Sequence, residues 1–333
     1  MVEKDLLKAL GPLAPLYSDP EVLEIMVDAP ERVLVERSGQ LEEAGVRFES
    51  PEALRAVIEA ALAVGDVRLA PGQTVGEARL SGAARMLAVL PPAAPQGPCL
   101  VLRKLHPVTL TWEEVIERGA ITREALDLLQ GALRAHASVL IAGAAGSGKS
   151  TVAQLLAEDI PPQERVLVVE AVHELQIRHP RAVFLEAAGP DKPTVSDLLI
   201  AAARMRPDWM VIGELYGPEA MRAFDIASRG HPVITTTYAN SPEDALGRLE
   251  AMCLMANLGL GLGEIRALIA SAIQVVTFQQ RMPDGRRKVM QVVEVRGLEN
   301  ERYVLQPLFR YEAGKGVLEP TGARPAWESM VHG

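Results

Sequence analysis

The stretch SVLIAGAAGSGKST, residues 138–151, restricts this chain more than any other. It begins as a short apolar run, passes into a glycine-rich turn, and continues as the helical pattern STVAQLLAED. Residues 143–151 fit G-x-x-x-x-G-K-[ST] at Gly143, Gly148, Lys149 and Ser150. Strand, turn and helix in that order are what the motif's chemistry requires. Glycines, Gly146 among them, let the backbone N–H groups of the loop from Gly143 through Ser147 to Thr151 converge on phosphate oxygens, and the helix N-terminus adds a favourable dipole. Lys149 is then expected to reach the β- and γ-phosphates of ATP, and Ser150 to ligate Mg2+.

The sequence downstream is what such a loop needs around it. Short apolar runs at 138–143 (SVLIAG), 165–170 (RVLVVE), 182–187 (AVFLEA), 209–214 (WMVIGE) and 232–238 (PVITTTY) are separated by longer amphipathic segments. Continuously apolar strands are covered on both faces, and strands alternating with helices predict a doubly wound α/β domain. We expect it to occupy residues 116–312. KVMQVVEV (288–295) and YVLQPLFRYE (303–312) read as a strand pair at one edge, and residues 313–333 as a flexible, Gly- and Pro-rich tail.

Residues 1–105 have a mixed α and β texture. Ser18 before DPEVLEIM is a helix N-cap signal. PERVLVERSGQLEE suggests a hairpin turning at Ser38-Gly39, and EARLSGAARMLAVL a second hairpin. Ser50 followed by Pro51 opens a helix, as does Ser241 followed by Pro242, with Asp244 closing the second cap. Residues 106–115 read as a linker from His106 into a helix, where Thr111 and Glu114 fit a capping box.

Two of the apolar runs end in glutamate, Glu170 and Glu214. A parallel sheet brings both to its carboxyl edge beside the phosphate loop. Phosphoryl transfer to water needs a group that holds Mg2+ and a group that orients or deprotonates the water. Glu170 is the candidate for water and Glu214 for the metal shell, although the two roles are exchangeable, and Glu174 follows one helical turn after Glu170. Gly213 stands where such a strand usually carries Asp.

The bulk properties exclude several classes. A net charge of −9, without basic and aromatic residues interleaved, counts against a protein that coats nucleic acid. No run reaches the roughly 18 apolar residues of a membrane span, and the N-terminus carries acidic residues and no long apolar run, unlike a signal peptide. Cys99 and Cys253 form no CxxC pair, which excludes a cysteine-type zinc site and reads as buried, reduced thiols of a cytosolic protein.

Blocks along nearly the whole chain resemble the type II/type IV secretion ATPase superfamily, and within it the Tad/CpaF-like pilus assembly branch. They include DPEVLEIMV, EARL, GPCLVLRKL, the phosphate loop, VVEAVHELQI, ARMRPDWMVIGELYG, SRGHP, TTTYANSPEDALGRLEAM, IASAIQVV and RMPDGRRKVMQVVEV. The resemblance implies a PAS-like α+β N-terminal domain, a RecA-like P-loop domain, and a Mg-ATP-hydrolysing homohexamer. Such a motor sits peripherally at the inner face of the cytoplasmic membrane and works on an inner-membrane platform protein of a pilus or secretion machine. It places Glu170 and Glu174 on the acidic positions of the Asp box, Glu214 on the Walker B glutamate and His231 on a family histidine. Arg79, Arg85 and Arg103 fall where the family's arginines reach the phosphates from the N-terminal domain. The chain departs from the family pattern at Ala171, Tyr216, Arg229, Pro232 and Tyr238, polar positions where the family keeps Asp, Arg, Thr, Asp and His. A weakly hydrolysing, nucleotide-binding subunit and a RecA-like nucleic-acid translocase are the competing readings. Tyr238 reads as a core aromatic, Arg248 as a salt-bridge residue, and Arg286, Arg287 and Lys288 as a solvated hairpin turn.

Overall fold

The computed structural model describes residues 2–37, 40–80, 84–104, 110–187 and 193–329. Two compact units partition the chain, Met1–Pro107 and Val108–Gly333. Part of the linker, His106 included, and the Ser38-Gly39 turn lie outside the described residues.

The first unit runs through helices α1 (Val2–Leu10) and α2 (Ala14–Ser18), strands β1 (Val22–Ala29), β2 (Arg32–Arg37) and β3 (Gln40–Glu43), helix α3 (Pro51–Val64), and strands β4 (Val75–Leu80), β5 (Ala84–Val89) and β6 (Cys99–Lys104). The strands form one antiparallel sheet in the order β3-β2-β1-β6-β5-β4. Alternate residues, among them Ile25, Val27, Leu80, Met86, Leu100 and Leu102, point to one face and pack with Leu6, Leu10, Leu54 and Ile58 of the helices. Ser50 caps α3 by accepting from the Ala53 N–H at 3.2 Å. Ser18, in contrast, ends α2 and starts no helix. The segment after it is β1, because Val22, Ile25 and Val27 are β-branched and bury between two partner strands, which overrides the local cap signal.

The second unit contains α4 (Trp112–Glu117), α5 (Arg123–Arg134), β7 (Val139–Gly143), α6 (Lys149–Glu158), β8 (Val166–Glu170), β9 (Ala182–Glu186), α7 (Val195–Ala203), β10 (Trp209–Glu214), α8 (Glu219–Ser228), β11 (Val233–Thr237), α9 (Pro242–Met255), α10 (Leu262–Ala272), and β12 (Val275–Arg281) through β13 (Arg287–Glu299), β14 (Arg302–Glu312) and β15 (Val317–Pro320). Its sheet has the order β15-β14-β13-β12-β7-β11-β10-β8-β9. The six strands from β12 to β9 are parallel, and β13, β14 and β15 extend the sheet antiparallel. Separate apolar layers cover its two faces, one built with α5 and α6 and the other with α7 to α10. That double cover is why VLIAG and VLVVE are buried at every residue. The capping box at Thr111 and the Ser241 cap of α9 form as expected, although Asp244 accepts from Asn240 N rather than from the cap residue.

Two parts of this unit depart from the sequence reading. Strand β12 is not among the expected strands, yet it pairs directly with β7. The segment after Glu312 is not loose up to Ser329: β15 pairs with β14, and Leu318 and Trp327 are each only 4% exposed. Burying two large apolar side chains contributes about 3–6 kcal/mol, enough to order a Gly- and Pro-rich segment.

Candidate functional site

The phosphate loop connects the end of β7 to the start of α6. A side chain at Gly143 would place its Cβ 2.3 Å from the Gln279 carbonyl oxygen and 2.6 Å from Ser147 Oγ, so the approach of β12 and the curl of the loop both demand glycine. Gly148 is the N-cap of α6 at φ 97°, in the left-handed region, and it turns the chain so that α6 begins at Lys149. Ser147 is buried and its Oγ makes no hydrogen bond. Ser150 and Thr151 lie in the first turn of α6, Ser150 exposed.

Lys149 is 7% exposed. Its Nζ donates to the Ala144 carbonyl at 3.2 Å, lies 3.6 Å from Glu214 Oε1, and sits 4.0 Å from the centre of the Tyr238 ring. Burial lowers the lysine's pKa and raises the glutamate's, and their mutual attraction opposes both shifts. The Tyr238 hydroxyl hydrogen-bonds the Glu214 carboxylate. Tyr238 is therefore no core aromatic: it is 43% exposed and spans the lysine and the glutamate. Glu214 Oε1 is buried without a hydrogen bond. The Glu214 carboxylate and the exposed Ser150 hydroxyl are each hard oxygen donors of the kind Mg2+ takes, an ion that uses few protein ligands and completes its shell with phosphate and water. Among the described residues no group of three or more His, Cys, Asp or Glu gathers to hold a metal, so such an ion would depend on its phosphate ligands.

Glu170 ends β8 but is wired differently. Its Oε1 accepts from the N–H groups of Glu174 at 3.2 Å and Leu175 at 3.1 Å, and its Oε2 lies 3.1 Å from His173 Nδ1. Burial raises its pKa against the pull of these donors. The carboxylate thus holds its own following loop. Glu174 is exposed and close enough to Glu214 for its charge to help raise that residue's pKa.

The structure does not bring His231 to this group. It precedes β11, with Nδ1 3.1 Å from the Pro207 carbonyl, whereas Tyr238 follows the same strand. Five parallel-strand residues separate the two edges by roughly 16 Å. In the first unit, Arg79, Arg85 and Arg103 lie directly across from one another on β4, β5 and β6. They are on the sheet face opposite the core, with Glu24 next in the row beside Arg103, and Arg85 also pairs with Glu77. Like charges directly opposite across strands cost stability.

Arg248 makes the expected salt bridge, with Asp244 of its own helix. Other residues take places that the sequence reading had not foreseen. Tyr216 is exposed, and its N–H, like that of Gly217, donates to Glu219. Of the basic trio, Arg286 is a solvated turn residue paired with Asp284, and Arg287 is exposed too but also makes a contact. Arg287 Nε donates to the Gly146 carbonyl of the phosphate loop at 2.9 Å, and buried Lys288 donates to the Gly119 carbonyl at 2.6 Å. Gln279, 3% exposed, also borders the loop. The one available signal was the hairpin turn at Asp284-Gly285, which fixes where β13 returns. Cys253 is buried, which pushes its thiol up to about 12, and Cys99 is half-buried; both are free.

Comparison with known proteins places this geometry in context. A family profile described as type II/IV secretion system protein matches residues 7–305. A putative conjugal transfer protein of Mycobacterium tuberculosis is 31% identical over 329 residues, covering 95% of this chain and 92% of that protein. A type IV secretion system PtlH homologue of Bordetella bronchiseptica is 30% identical, covering 85% of this chain and 93% of its own. Among solved structures, the Legionella pneumophila ATPase DotB matches with a TM-score of 0.58 at 22% identity, over 81% of this chain and 75% of its own. It shares the fold of two α/β units with a RecA-like P-loop domain.

Proposed function

Because this chain belongs to the type II/IV secretion system protein family, we propose that it is an ATPase of a secretion, conjugation or pilus machine. The observation that carries this reading is the phosphate loop with Lys149 Nζ 3.6 Å from the buried Oε1 of Glu214 beside it. Lys149 and the loop N–H groups hold the triphosphate. Ser150 and Glu214 would hold Mg2+, which would supply positive charge against the negative charge of the triphosphate. Glu174, exposed beside Glu214, orients water, while Glu170 keeps the loop that carries Glu174 in place. We retain the assignment of Arg79, Arg85 and Arg103 to phosphate, as the family resemblance implies.

We further propose a homohexameric motor, peripheral at the inner face of the cytoplasmic membrane and acting on an inner-membrane platform protein. No helix among the described residues is long and apolar enough to cross a membrane. Relatives named for conjugal transfer and type IV secretion favour those machines, and the sequence blocks favour Tad-like pilus assembly. A weakly hydrolysing, nucleotide-binding subunit is the second reading, favoured by the commitment of Glu170 to its own loop and by Tyr216 and Tyr238 at family polar positions.

Steady-state Mg-ATP hydrolysis, measured beside ATP affinity, separates the two. Turnover that Lys149→Ala and Glu214→Gln abolish supports the motor. Tight binding with no turnover, unchanged by either substitution, sinks it.

A further inference from the structure

The hairpin of β12 and β13 braces one flank of the phosphate loop. Gln279 of β12 pairs with Gly143 in the parallel ladder. Arg287, the first residue of β13, reaches across 141 positions of sequence to donate its Nε to the Gly146 carbonyl at 2.9 Å. The methylenes of Arg287 and the amide of Gln279 crowd Gly148, where an added Cβ would lie 3.2 Å from Arg287 Cδ and 3.5 Å from Gln279 Oε1. A second observation marks this flank as built around the loop: Gln279 Nε2 and Ser147 Oγ, both on residues at least nine-tenths buried, have no hydrogen-bond partner. The hairpin is itself anchored, since buried Lys288 holds the Gly119 carbonyl and Val289 N–H donates to Ala120 O at 2.8 Å.

We propose that Arg287 is a positioning residue of the nucleotide site: it fixes the carbonyl of Gly146 so that the loop is set before a nucleoside triphosphate or diphosphate arrives. A glycine-rich loop has many conformations to lose, and a loop not held beforehand must lose them on binding, which weakens affinity. The bond is charge-assisted and planar, which a guanidinium satisfies better than an ammonium. Arg287 belongs to the binding step rather than to turnover. This inference rests on the loop being a nucleotide site, as proposed above.

The test compares wild type with Arg287→Met, which keeps the aliphatic packing on Gly148, and Arg287→Lys. Titration with Mg-ADP and with a Mg-bound non-hydrolysable ATP analogue should show about tenfold weaker binding for Arg287→Met, and KM for ATP should rise alike while kcat stays within about twofold. Arg287→Lys should recover part of the affinity. Unchanged affinity, or a kcat loss at constant KM, overturns the proposal. Hydrogen exchange on the nucleotide-free protein tests the brace alone. Amides of residues 144–149 should exchange severalfold faster in Arg287→Met while those of β10 do not change, and unchanged loop exchange also overturns it. If wild type itself binds no nucleotide, the ATPase reading fails, and the exchange result still decides whether Arg287 sets the loop.

Discussion

Strands β8 and β10 lie side by side, each with a buried apolar body and each ending in a glutamate, Glu170 buried and Glu214 half-buried. Burial raises the pKa of both carboxylates. What they do differs because of what reaches them. Glu170 is saturated by N–H groups of its own following loop and by His173. Glu214 has no such donors from its loop, whose N–H groups at Tyr216 and Gly217 are taken by Glu219 instead. It faces Lys149 at 3.6 Å with one oxygen lacking a hydrogen bond. A carboxylate ending an apolar strand is structural where its own loop turns back to feed it, and available for chemistry where another acid captures that loop.

The strongest way to break this contrast is at the cation that defines it. Lys149→Ala should reduce hydrolysis by about 10³-fold, the scale of a lost phosphate-stabilising cation, and weaken nucleotide binding. Phosphate release and titration measure the two effects. Glu214→Gln should lower kcat by about 10²-fold while leaving ATP affinity within a few fold. Glu170→Ala should reverse the emphasis: the buried Leu175 N–H and the half-buried Glu174 N–H lose their acceptor, destabilising the unit by about 1–4 kcal/mol in chemical denaturation. If Glu170→Gln folded normally and lost as much turnover as Glu214→Gln, the contrast would collapse.

The same pair makes a pH prediction with a definite sign. A glutamate whose folded pKa lies above its ordinary 4.5 binds its proton more tightly when folded. Its contribution to stability is complete below the unfolded value and is lost as pH rises through the folded one. The nucleotide-free protein should therefore lose part of its stability as pH rises above about 4.5, and Glu214→Gln should flatten that slope. Denaturation midpoints across this range measure it; a slope unchanged by the substitution would show that Glu214 is not held in a desolvated site.

How much of this could be read from sequence follows from the distance over which each signal acts. The phosphate loop, the parallel strands and the caps at Ser50, Thr111 and Ser241 are local patterns, and each forms where expected. β12 was missed because IQVVTFQQR mixes apolar and polar residues, and its pairing with β7 is a property of the whole sheet. His231 follows the family spacing, but it immediately precedes the strand read at 232–238, which already puts it at the amino end of β11 and away from the phosphate loop. The division of labour between Glu170 and Glu214 was equally illegible, because both end apolar runs and only the donors differ. Arg287 looked like any charge in a turn until the hairpin's return placed it against Gly146.

Tyr238 refines the Glu214 side of the comparison with a smaller effect. Tyr238→Phe keeps the ring over Lys149 and removes the hydroxyl from Glu214, so kcat should fall by a few fold with nucleotide affinity preserved. Tyr238→Ala removes the ring as well. A cation–π contact at a partly exposed site contributes about 0.5–2 kcal/mol, so nucleotide affinity should then also drop, by roughly 2–30-fold. Equal behaviour of the two variants would mean that the ring's contact with Lys149 at 4.0 Å does not position the lysine.

The smallest effect belongs to the Glu170 side, where a side chain rather than the backbone completes the set of donors. His173 Nδ1 lies 3.1 Å from Glu170 Oε2, and its ring packs edge-on against Phe184 at 4.8 Å. His173→Ala removes one of several donors and leaves the two backbone N–H groups in place, so it should cost about 1 kcal/mol of stability. Because Glu174 hangs on the same loop, loosening it should lower kcat by no more than about twofold. A larger loss of turnover at unchanged stability would place Glu170 and His173 in the reaction itself and remove the distinction between the two strand ends.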